Sequence, residues 1–318
     1  MKPFCIVTAS DTRYGDFLIN HWYKSLTENS DLSLIDVAVL DYGLSTAQRF
    51  YLESHGVRVR QYPKDGHVVI IRFRDLADFL SEEKYEQIIL SDGGDIIFQD
   101  DISPVFTEHP DMFRGVQEDL KSAFSVFLTD EFFNKEDKKR IRDVLIEEEM
   151  INAGFIAGPS EKMLRLGQAV DTMVLSKKKF GPDQLVVNYL FRTEGFYPLP
   201  KRFNYVIATA EGELKIRDGK FYADGELMTV VHNTGNISFF RPIENFGYGP
   251  ERNQLKPELL RALKALHSTS DTVYETKAEL RKRVKVLKEE IRKRQQRSQE
   301  ELEENWSDFK ELFFHGEE

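Results

Sequence analysis

The chain has little cysteine and no long apolar run: one Cys occurs among 318 residues. Cys5 lies within the apolar segment Phe4-Cys5-Ile6-Val7, so we expect it to be buried, which leaves neither a disulfide nor a thiolate metal site. No segment approaches the roughly 18 apolar residues of a membrane-spanning helix, and no basic stretch followed by an apolar one opens the sequence. We therefore expect a soluble protein in a reducing compartment, the cytoplasm.

The chain also lacks an excess of basic residues. Its formal net charge is −10, which counts against the binding of nucleic acid by the surface as a whole. A glycine-rich phosphate loop is missing as well, because Asp11-Thr12-Arg13-Tyr14 follows the first apolar segment, and this argues against nucleotidyl transfer. A hydrophobic content of 41% with 24 Phe predicts a sizeable core.

Apolar segments alternate with helical patterns in the first hundred residues. We predict strands at 4–8, 34–40, 57–61 and 87–90, and helices at 17–26, 45–55 and 74–81. This alternation requires crossover connections, so it predicts an α/β fold with a mostly parallel central sheet and flanking helices. Ligands of such sheets collect at the carboxyl ends of the strands.

The second half combines helices with hairpins. We predict helices at 129–149 and 161–176 and a third that opens at Gly181-Pro182. The pairs Asp218-Gly219 and Asp224-Gly225 indicate tight hairpin turns. A strand at 228–231 then leads into His232.

A helical tail at 257–318 is predicted to follow a main domain at 1–256. Its apolar residues Leu280, Val284, Leu287 and Ile291 have coiled-coil spacing over a short stretch. Residues 277–297 hold ten Lys or Arg against three Glu, and residues 300–318 hold eight acids against one Lys. This pattern favours a homo-oligomer or a fold-back on the body. A solvated helix and peripheral attachment to anionic lipid remain open.

The segment Ser91-Asp92-Gly93-Gly94-Asp95 is the most informative motif. It places two carboxylates at the end of an apolar strand, where glycines let the backbone turn sharply. Two hard oxygen ligands suit Mg²⁺ or Mn²⁺ carrying a diphosphate. The competing interpretation is an ordinary turn.

Other polar clusters also follow predicted strands or open predicted helices, and each has a simpler explanation. Tyr14 could be loop packing, and Asn152 could be a turn residue. Asp183 could cap a helix, and His232 could be a hydrogen-bonded strand-end histidine. Arg72 could pair with Asp75.

Taken in order, these motifs resemble the GT-A fold of nucleotide-sugar glycosyltransferases, most closely glycosyltransferase family 8, over residues 3–245. The resemblance rests on these segments: Ala9-Ser10-Asp11-Thr12-Arg13-Tyr14, Arg72 (or Arg74), Asp92 to Asp95 with Asp101-Ile102, Asn152-Ala153-Gly154, Asp183-Gln184 with Asn188, and His232-Asn233-Thr234-Gly235.

The resemblance implies a role for each matched residue. Mn²⁺ or Mg²⁺ would be held by Asp92, Asp95 and His232. Asn152 and Asp183 would bind hydroxyl groups of the donor sugar, and Gln184 would lie at the reacting face of that sugar. The UDP-sugar would be bound by Ala9, Asp11, Tyr14, Arg72, Asp92 and Gly235.

Two features depart from the family pattern. The acidic motif is D-x-x-D instead of D-x-D, so the coordination by Asp92 or Asp95 could differ. The Lys-Pro-Trp segment that follows the histidine is missing, and the nearest basic residue is Arg241.

The expected function is metal-dependent transfer of a hexose from a UDP-sugar to a glycan or lipid-linked acceptor, with retention of configuration. The altered acidic motif motivates a rival: a catalytically weak binding or scaffold module that assembles a complex through its tail.

Overall fold

The structure is a computed structural model that describes residues 2–118, 127–146, 148–234 and 241–269, with residues 289, 292, 293 and 296. The chain divides into a compact unit of Met1–Ser270 and a second unit of Asp271–Glu318. The predicted coiled-coil seam lies outside the described residues, and the predicted domains 1–256 and 257–318 stay predictions. Within the described part, no helix is both long and apolar enough to cross a bilayer.

Fifteen strands are described. They are β1 (Phe4–Ser10), β2 (Ile35–Asp41), β3 (Arg58–Gln61), β4 (Gln87–Asp92), β5 (Ile96–Phe98), β6 (Phe113–Gln117), β7 (Ile151–Pro159), β8 (Phe196–Pro198), β9 (Tyr205–Val206), β10 (Leu214–Arg217), β11 (Lys220–Ala223), β12 (Glu226–Leu227), β13 (Val230–His232), β14 (Ile243–Glu244) and β15 (Gln254–Leu255).

The described helices flank these strands. They are Thr12–Phe17, the π-helical turn Leu18–Tyr23, Lys24–Asn29, Thr46–Ser54, Val68–Glu82, Ser103–Thr107, Lys135–Leu145, Ser160–Met173, Pro182–Glu194, the 3₁₀ helix Lys201–Asn204 and a helix at 257–269.

The main sheet has seven strands in the order β3-β2-β1-β4-β7-β6-β8. Strand β7 is antiparallel to both of its neighbours, and every other pairing is parallel. The central strands are buried almost throughout, which matches their near-continuous apolar sequences. The prediction of an α/β fold with a mostly parallel sheet is confirmed.

The described residues also form three smaller sheets, of which one is the antiparallel pair β14 and β15. Strand β13 pairs antiparallel with β5 and parallel with β9. Strands β10, β11 and β12 form two hairpins, whose turn residues Asp218, Gly219, Asp224 and Gly225 all have positive φ. Asn, Asp and Gly tolerate this conformation best, so the Asp-Gly pairs produce the predicted turns.

Several predicted helices differ in detail from the structure. The helix predicted at 129–149 covers Lys135–Leu145, and the one predicted at 17–26 belongs to a helical stretch that begins at Thr12. The helix predicted at 74–81 begins at Val68, because the apolar run Val68-Val69-Ile70-Ile71 joins its buried face. This earlier start brings Arg72 onto the helix. The helix of Asp183 is capped by Gly181 with φ of 112°, so the interpretation of Asp183 as its N-cap is wrong.

The helix Thr46–Ser54 begins as predicted, with a capping box. The Ser45 hydroxyl accepts from the Gln48 backbone N–H at 3.2 Å, and the Gln48 side chain accepts from the Ser45 N–H at 3.0 Å. These bonds satisfy two donors that the first helical turn would otherwise leave unpaired.

We predict that Ser45→Ala lowers the free energy of unfolding by about 1 kcal/mol, because one capping bond is lost. Urea denaturation measures this change. The matched control is Ser54→Ala at the exposed end of the same helix, which we expect to change stability by less than about 0.5 kcal/mol. An equal effect of the two substitutions would contradict the capping role.

Candidate functional site

The carboxyl edge of the main sheet gathers the polar clusters that the sequence had separated. Asp11 follows β1, Asp92 ends β4, and Glu118 follows β6. Because β7 runs antiparallel to β4, its first residues reach the same edge, and Asn152 joins the other side chains. One sheet edge therefore assembles the predicted cleft.

The small sheet brings His232 to the same place. Strand β5 begins directly after Asp95, and β13 ends at His232, which pairs with Ile96 in the antiparallel register. The Asn233 backbone N–H also donates to the Asp95 carbonyl at 2.9 Å. Strand pairing therefore fixes the imidazole beside the acidic turn.

Asp92, Asp95 and His232 form a cluster that fits a divalent cation. One ligand atom from each residue lies within 4.8 Å of the others. The His232 Nε2 atom is 3.5 Å from Asp92 Oδ2 and 3.4 Å from Asp95 Oδ1. Two carboxylates and an imidazole are suitable ligands for Mn²⁺, and the carboxylates also suit Mg²⁺.

Glycines allow the close approach of these groups. A Cβ atom on Gly93 would lie 2.6 Å from Thr8 Oγ1, and one on Gly94 would lie 2.8 Å from the Tyr14 ring. The D-x-x-D motif has one residue more than D-x-D, and both intervening residues are glycines, of which Gly93 packs against β1. Both carboxylates still face His232. The D-x-x-D spacing preserves the cluster.

Cationic side chains compensate the two carboxylates. The buried Arg72 guanidinium pairs with Asp92 and donates to the Ala153 carbonyl at 3.2 Å. Arg241 donates to Asp95 Oδ2 at 3.0 Å. Asp75 pairs with Arg74 instead, so the alternative pairing of Arg72 with Asp75 is wrong.

These charges shift the ionisation of the cluster. Burial raises the pKa of Asp92, but the Arg72 guanidinium and the His232 imidazole outweigh burial and lower that pKa below its usual value. Burial lowers the pKa of His232, but Asp95 and Asp92 outweigh it and raise that pKa above its usual value. Without a cation, the two carboxylates therefore favour the protonated form of the imidazole.

A buried hydrogen-bond network extends from the cluster into the cleft. The Asn152 Nδ2 group donates to Glu118 Oε1 at 2.6 Å, and Thr209 Oγ1 donates to Glu118 Oε2 at 2.9 Å. Asn204 lies between Asn152 and His232. Sequence reasoning missed Glu118 and Asn204, because the strand before Glu118 contains Arg and Gln and therefore has no clear apolar pattern.

Asp183 presents an unpartnered carboxylate oxygen to the cleft. Its Oδ1 atom is buried and has no hydrogen-bond partner among the described residues. Burial raises its pKa to about 6, against the opposing effect of Arg72. Gln184 follows on the same helix and also lines the cleft. A sugar hydroxyl would satisfy the free oxygen of Asp183.

Asp11 and Tyr14, which the resemblance assigns to binding of the UDP-sugar, also line the cleft. The Asp11 Oδ1 atom accepts from the backbone N–H groups of Arg13 and Tyr14, and Oδ2 accepts from Lys64 Nζ at 2.6 Å. Asp11 is therefore a helix cap and an ion-pair partner. Each carboxylate oxygen accepts more than one hydrogen bond, so Asp11 keeps capacity for a ligand. Binding of the UDP-sugar by Asp11 and Tyr14 stays a prediction.

One cavity of about 910 Å³ includes these groups. Its lining contains every predicted site residue that the structure describes, and Gly235 lies outside the described residues. Arg74, the second choice for the matched arginine, does not line it, whereas Arg72 does. Lys64, Glu118 and Arg241 were not among the predicted site residues. The predicted site residues in the lining are Ala9, Asp11, Tyr14, Arg72, Asp92, Asp95, Asn152, Asp183, Gln184 and His232.

Comparison with known proteins gives matches in structure alone. Neither the family models nor the curated proteins compared with this sequence gave a match. The galactosyltransferase LgtC, solved in complex with donor and acceptor sugar analogues, matches at 17% identity and a TM-score of 0.52, over 81% of this chain and 95% of LgtC. The bifunctional glycosyltransferase WbbM matches at 14% identity and a TM-score of 0.52, over 86% of this chain and 51% of WbbM.

These matches confirm the predicted fold. The chain has the GT-A architecture of nucleotide-sugar glycosyltransferases, with a mostly parallel sheet and flanking helices. At this identity the likeness establishes the fold, and the activity follows from the site by the argument below.

We predict that Gly154→Ala abolishes Mn²⁺ binding while the protein stays folded. The added Cβ would lie 2.3 Å from His232 Cε1 and 2.8 Å from Asp92 Oδ2, so these two ligands must separate. Calorimetric titration with Mn²⁺ measures the loss.

The matched control for this prediction is Gly158→Ala on the same strand, β7. There the added Cβ would meet only side chains, the Phe113 ring at 3.0 Å and Met163 at 3.4 Å. We expect this variant to bind Mn²⁺ as the wild type does. Wild-type Mn²⁺ affinity in Gly154→Ala would contradict the assigned ligand cluster.

Proposed function

We propose that this protein is a metal-dependent glycosyltransferase that moves a hexose from a UDP-sugar to a carbohydrate or lipid-linked acceptor. The observation that supports this most is the meeting of Asp92, Asp95 and His232 in one cleft of a GT-A fold. His232 is far in sequence from the two acids, so a chance meeting of the imidazole with both carboxylates at the ligand-binding edge of the sheet does not explain the cluster well.

The size and polarity of the cavity suit a nucleotide-sugar donor. A volume of about 910 Å³ is at the upper end of the roughly 300–1,000 Å³ of small-molecule sites. Cationic side chains (Arg72 and Arg241) and hydroxyl-binding groups (Asn152, Asp183 and Glu118) line the same space. A diphosphate and a sugar require groups of these two kinds.

Sugar transfer requires stabilisation of a departing diphosphate while the anomeric carbon gains positive character. Mn²⁺ or Mg²⁺ held by Asp92, Asp95 and His232 would supply Lewis-acid stabilisation of that leaving group. Arg72 adds fixed positive charge from within the protein, where it is shielded from water.

The remaining side chains orient the donor sugar. Asp183 Oδ1 accepts a hydrogen bond from a sugar hydroxyl, which supplies the partner that this buried atom lacks. Asn152 uses its Oδ1 atom and one of its N–H groups within the protein, which leaves the second N–H for the sugar. Gln184 lies one residue beyond Asp183 at the reacting face. Transfer with retention is part of this proposal.

Arg241 takes the place of the lysine that the family pattern has after the histidine. Its guanidinium already lies at the acidic cluster through its contact with Asp95. A guanidinium binds two phosphate oxygens at once, so Arg241 is suited to share the charge of the diphosphate.

The alternative, a catalytically weak binding or scaffold module, predicts a different result in an assay of nucleotide binding and hydrolysis. A glycosyltransferase binds UDP in a Mn²⁺-dependent way and hydrolyses one UDP-sugar of a panel, whereas a catalytically silent module does neither. A panel of nucleotide sugars, each with and without Mn²⁺, separates the two.

We predict that Asp95→Ala abolishes UDP-sugar hydrolysis and leaves the fold intact, because the cluster loses a carboxylate ligand. Product UDP is measured by chromatography, and folding by circular dichroism. Asp111→Asn, an exposed residue outside the cavity, is the control and should match the wild type. Wild-type turnover of Asp95→Ala would refute the metal assignment.

The tail is proposed to act in assembly or membrane association instead of chemistry. We predict that deletion of residues 272–318 changes the oligomeric mass or the binding to anionic vesicles, while donor hydrolysis persists. Light scattering and vesicle sedimentation measure the first effect, and the UDP assay measures the second. Loss of hydrolysis in a folded, truncated protein would show that the tail contributes to the active site.

A further inference from the structure

Asn204 is a buried side chain next to the acidic cluster with no assigned role. It ends the 3₁₀ helix Lys201–Asn204 and is 1% exposed. The following strand β9 pairs with β13 and places Val206 opposite His232. His232 lies in this small sheet, and Asn204 directly precedes its strand β9. The pairing of β9 with β13 therefore fixes the two side chains relative to each other.

The partners of the Asn204 amide determine its orientation. Its Nδ2 group donates to Asn152 Oδ1 at 3.0 Å, and that oxygen can only accept. Its Oδ1 atom therefore faces His232 Nδ1, at 3.1 Å. A carbonyl oxygen can only accept, so Nδ1 of His232 must carry a proton.

This arrangement sets the role of the other ring nitrogen. With Nδ1 held as a donor, Nε2 is the atom that faces Asp92 and Asp95. A ligand histidine is commonly oriented by an acceptor on its second nitrogen, and loss of such a partner typically costs 10–100-fold in metal affinity.

The amide also connects the cation site to the sugar site. Asn152 Oδ1 accepts from Asn204 and from the Gly154 N–H at 2.9 Å, and Asn152 Nδ2 then donates to Glu118. One continuous hydrogen-bond chain thus runs from His232 through Asn204 and Asn152 to Glu118. Removal of Asn204 interrupts it in the middle.

We propose that Asn204 is a positioning residue with two functions: its oxygen holds His232 as a metal ligand, and its nitrogen holds Asn152 for the donor sugar. This inference rests on the proposed metal-dependent transfer and adds a residue that acts on both sites through their side chains.

Two substitutions separate the two functions. Asn204→Ala removes both hydrogen bonds. Asn204→Asp keeps an acceptor for His232 Nδ1, but it turns an oxygen toward Asn152 Oδ1 and loses the donated bond. The control is Asn29→Ala, another asparagine whose Nδ2 donates to three oxygens, those of Ser25, Phe98 and Tyr248, outside the cavity.

The probe for the first function is Mn²⁺ alone, titrated in the absence of nucleotide and followed by the electron paramagnetic resonance of free Mn²⁺. We expect Asn204→Ala to weaken Mn²⁺ binding about 10–100-fold, the usual effect of removing such a partner. Asn204→Asp should retain wild-type affinity to within about threefold, because a carboxylate is at least as good an acceptor as an amide.

The readout for the second function is the donor KM at saturating Mn²⁺. We expect Asn204→Asp to raise the KM of the UDP-sugar about tenfold, since a lost hydrogen bond to a polar group costs on the order of 1.4 kcal/mol. Asn29→Ala should match the wild type in both Mn²⁺ affinity and KM. Thermal unfolding of every variant reports its folding.

The outcomes distinguish this inference from the proposed function. If the wild type binds Mn²⁺ and hydrolyses a UDP-sugar, but Asn204→Ala keeps wild-type Mn²⁺ affinity, only the role of Asn204 is overturned. If Asn29→Ala loses as much Mn²⁺ affinity as Asn204→Ala, the effect is one of stability and the role is overturned. If the wild type itself binds no Mn²⁺, both the metal-dependent function and the role of Asn204 are wrong.

Should Asn204→Ala fail to fold, Asn204→Asp decides alone, and a wild-type donor KM in that variant overturns the role.

Discussion

The antiparallel pairing of β5 with β13 is the constraint on which the candidate site depends. It joins the strand that leaves the acidic turn to the strand that ends at His232, and so unites residues that are distant in the chain. The main sheet contributes Asp92 from one side of the turn, and the small sheet contributes the imidazole from the other. Because strand pairing is specified by many backbone bonds and by buried apolar side chains, the position of His232 does not rely on the polar contacts that it makes.

The polar contacts instead determine the charge of the site. Two carboxylates this close to each other would repel, and burial would raise their pKa values. Arg72 and Arg241 offset that repulsion, and so does the imidazole of His232, whose protonated form the carboxylates favour. A divalent cation would replace the proton on the imidazole. The two carboxylates would then have a positively charged partner both with and without the cation.

Local patterns in the sequence were sufficient for much of the fold. The helix that opens beside Ser45 and the two Asp-Gly hairpins depend on neighbouring residues, and the structure has them at the predicted positions. Strands β1 and β4 each end two residues later than predicted. The acidic turn and His232 were found because each follows an apolar segment. Glu118 and Asn204 were missed, since their roles arise from the register of β6 and β9 against distant strands. Asn204 stands in a 3₁₀ helix with no motif of its own, and only the folded chain reveals its two partners.

The hydrogen-bond chain from Glu118 to His232 has a thermodynamic consequence. Any free energy that it transmits between the cation and the sugar acts equally in both directions, because coupling between two binding equilibria is reciprocal. If a bound cation raises the affinity for the sugar by some factor, the bound sugar must raise the affinity for the cation by the same factor. The order in which the cation and the sugar bind then depends on their concentrations, and the same complex of protein, cation and sugar forms by either order.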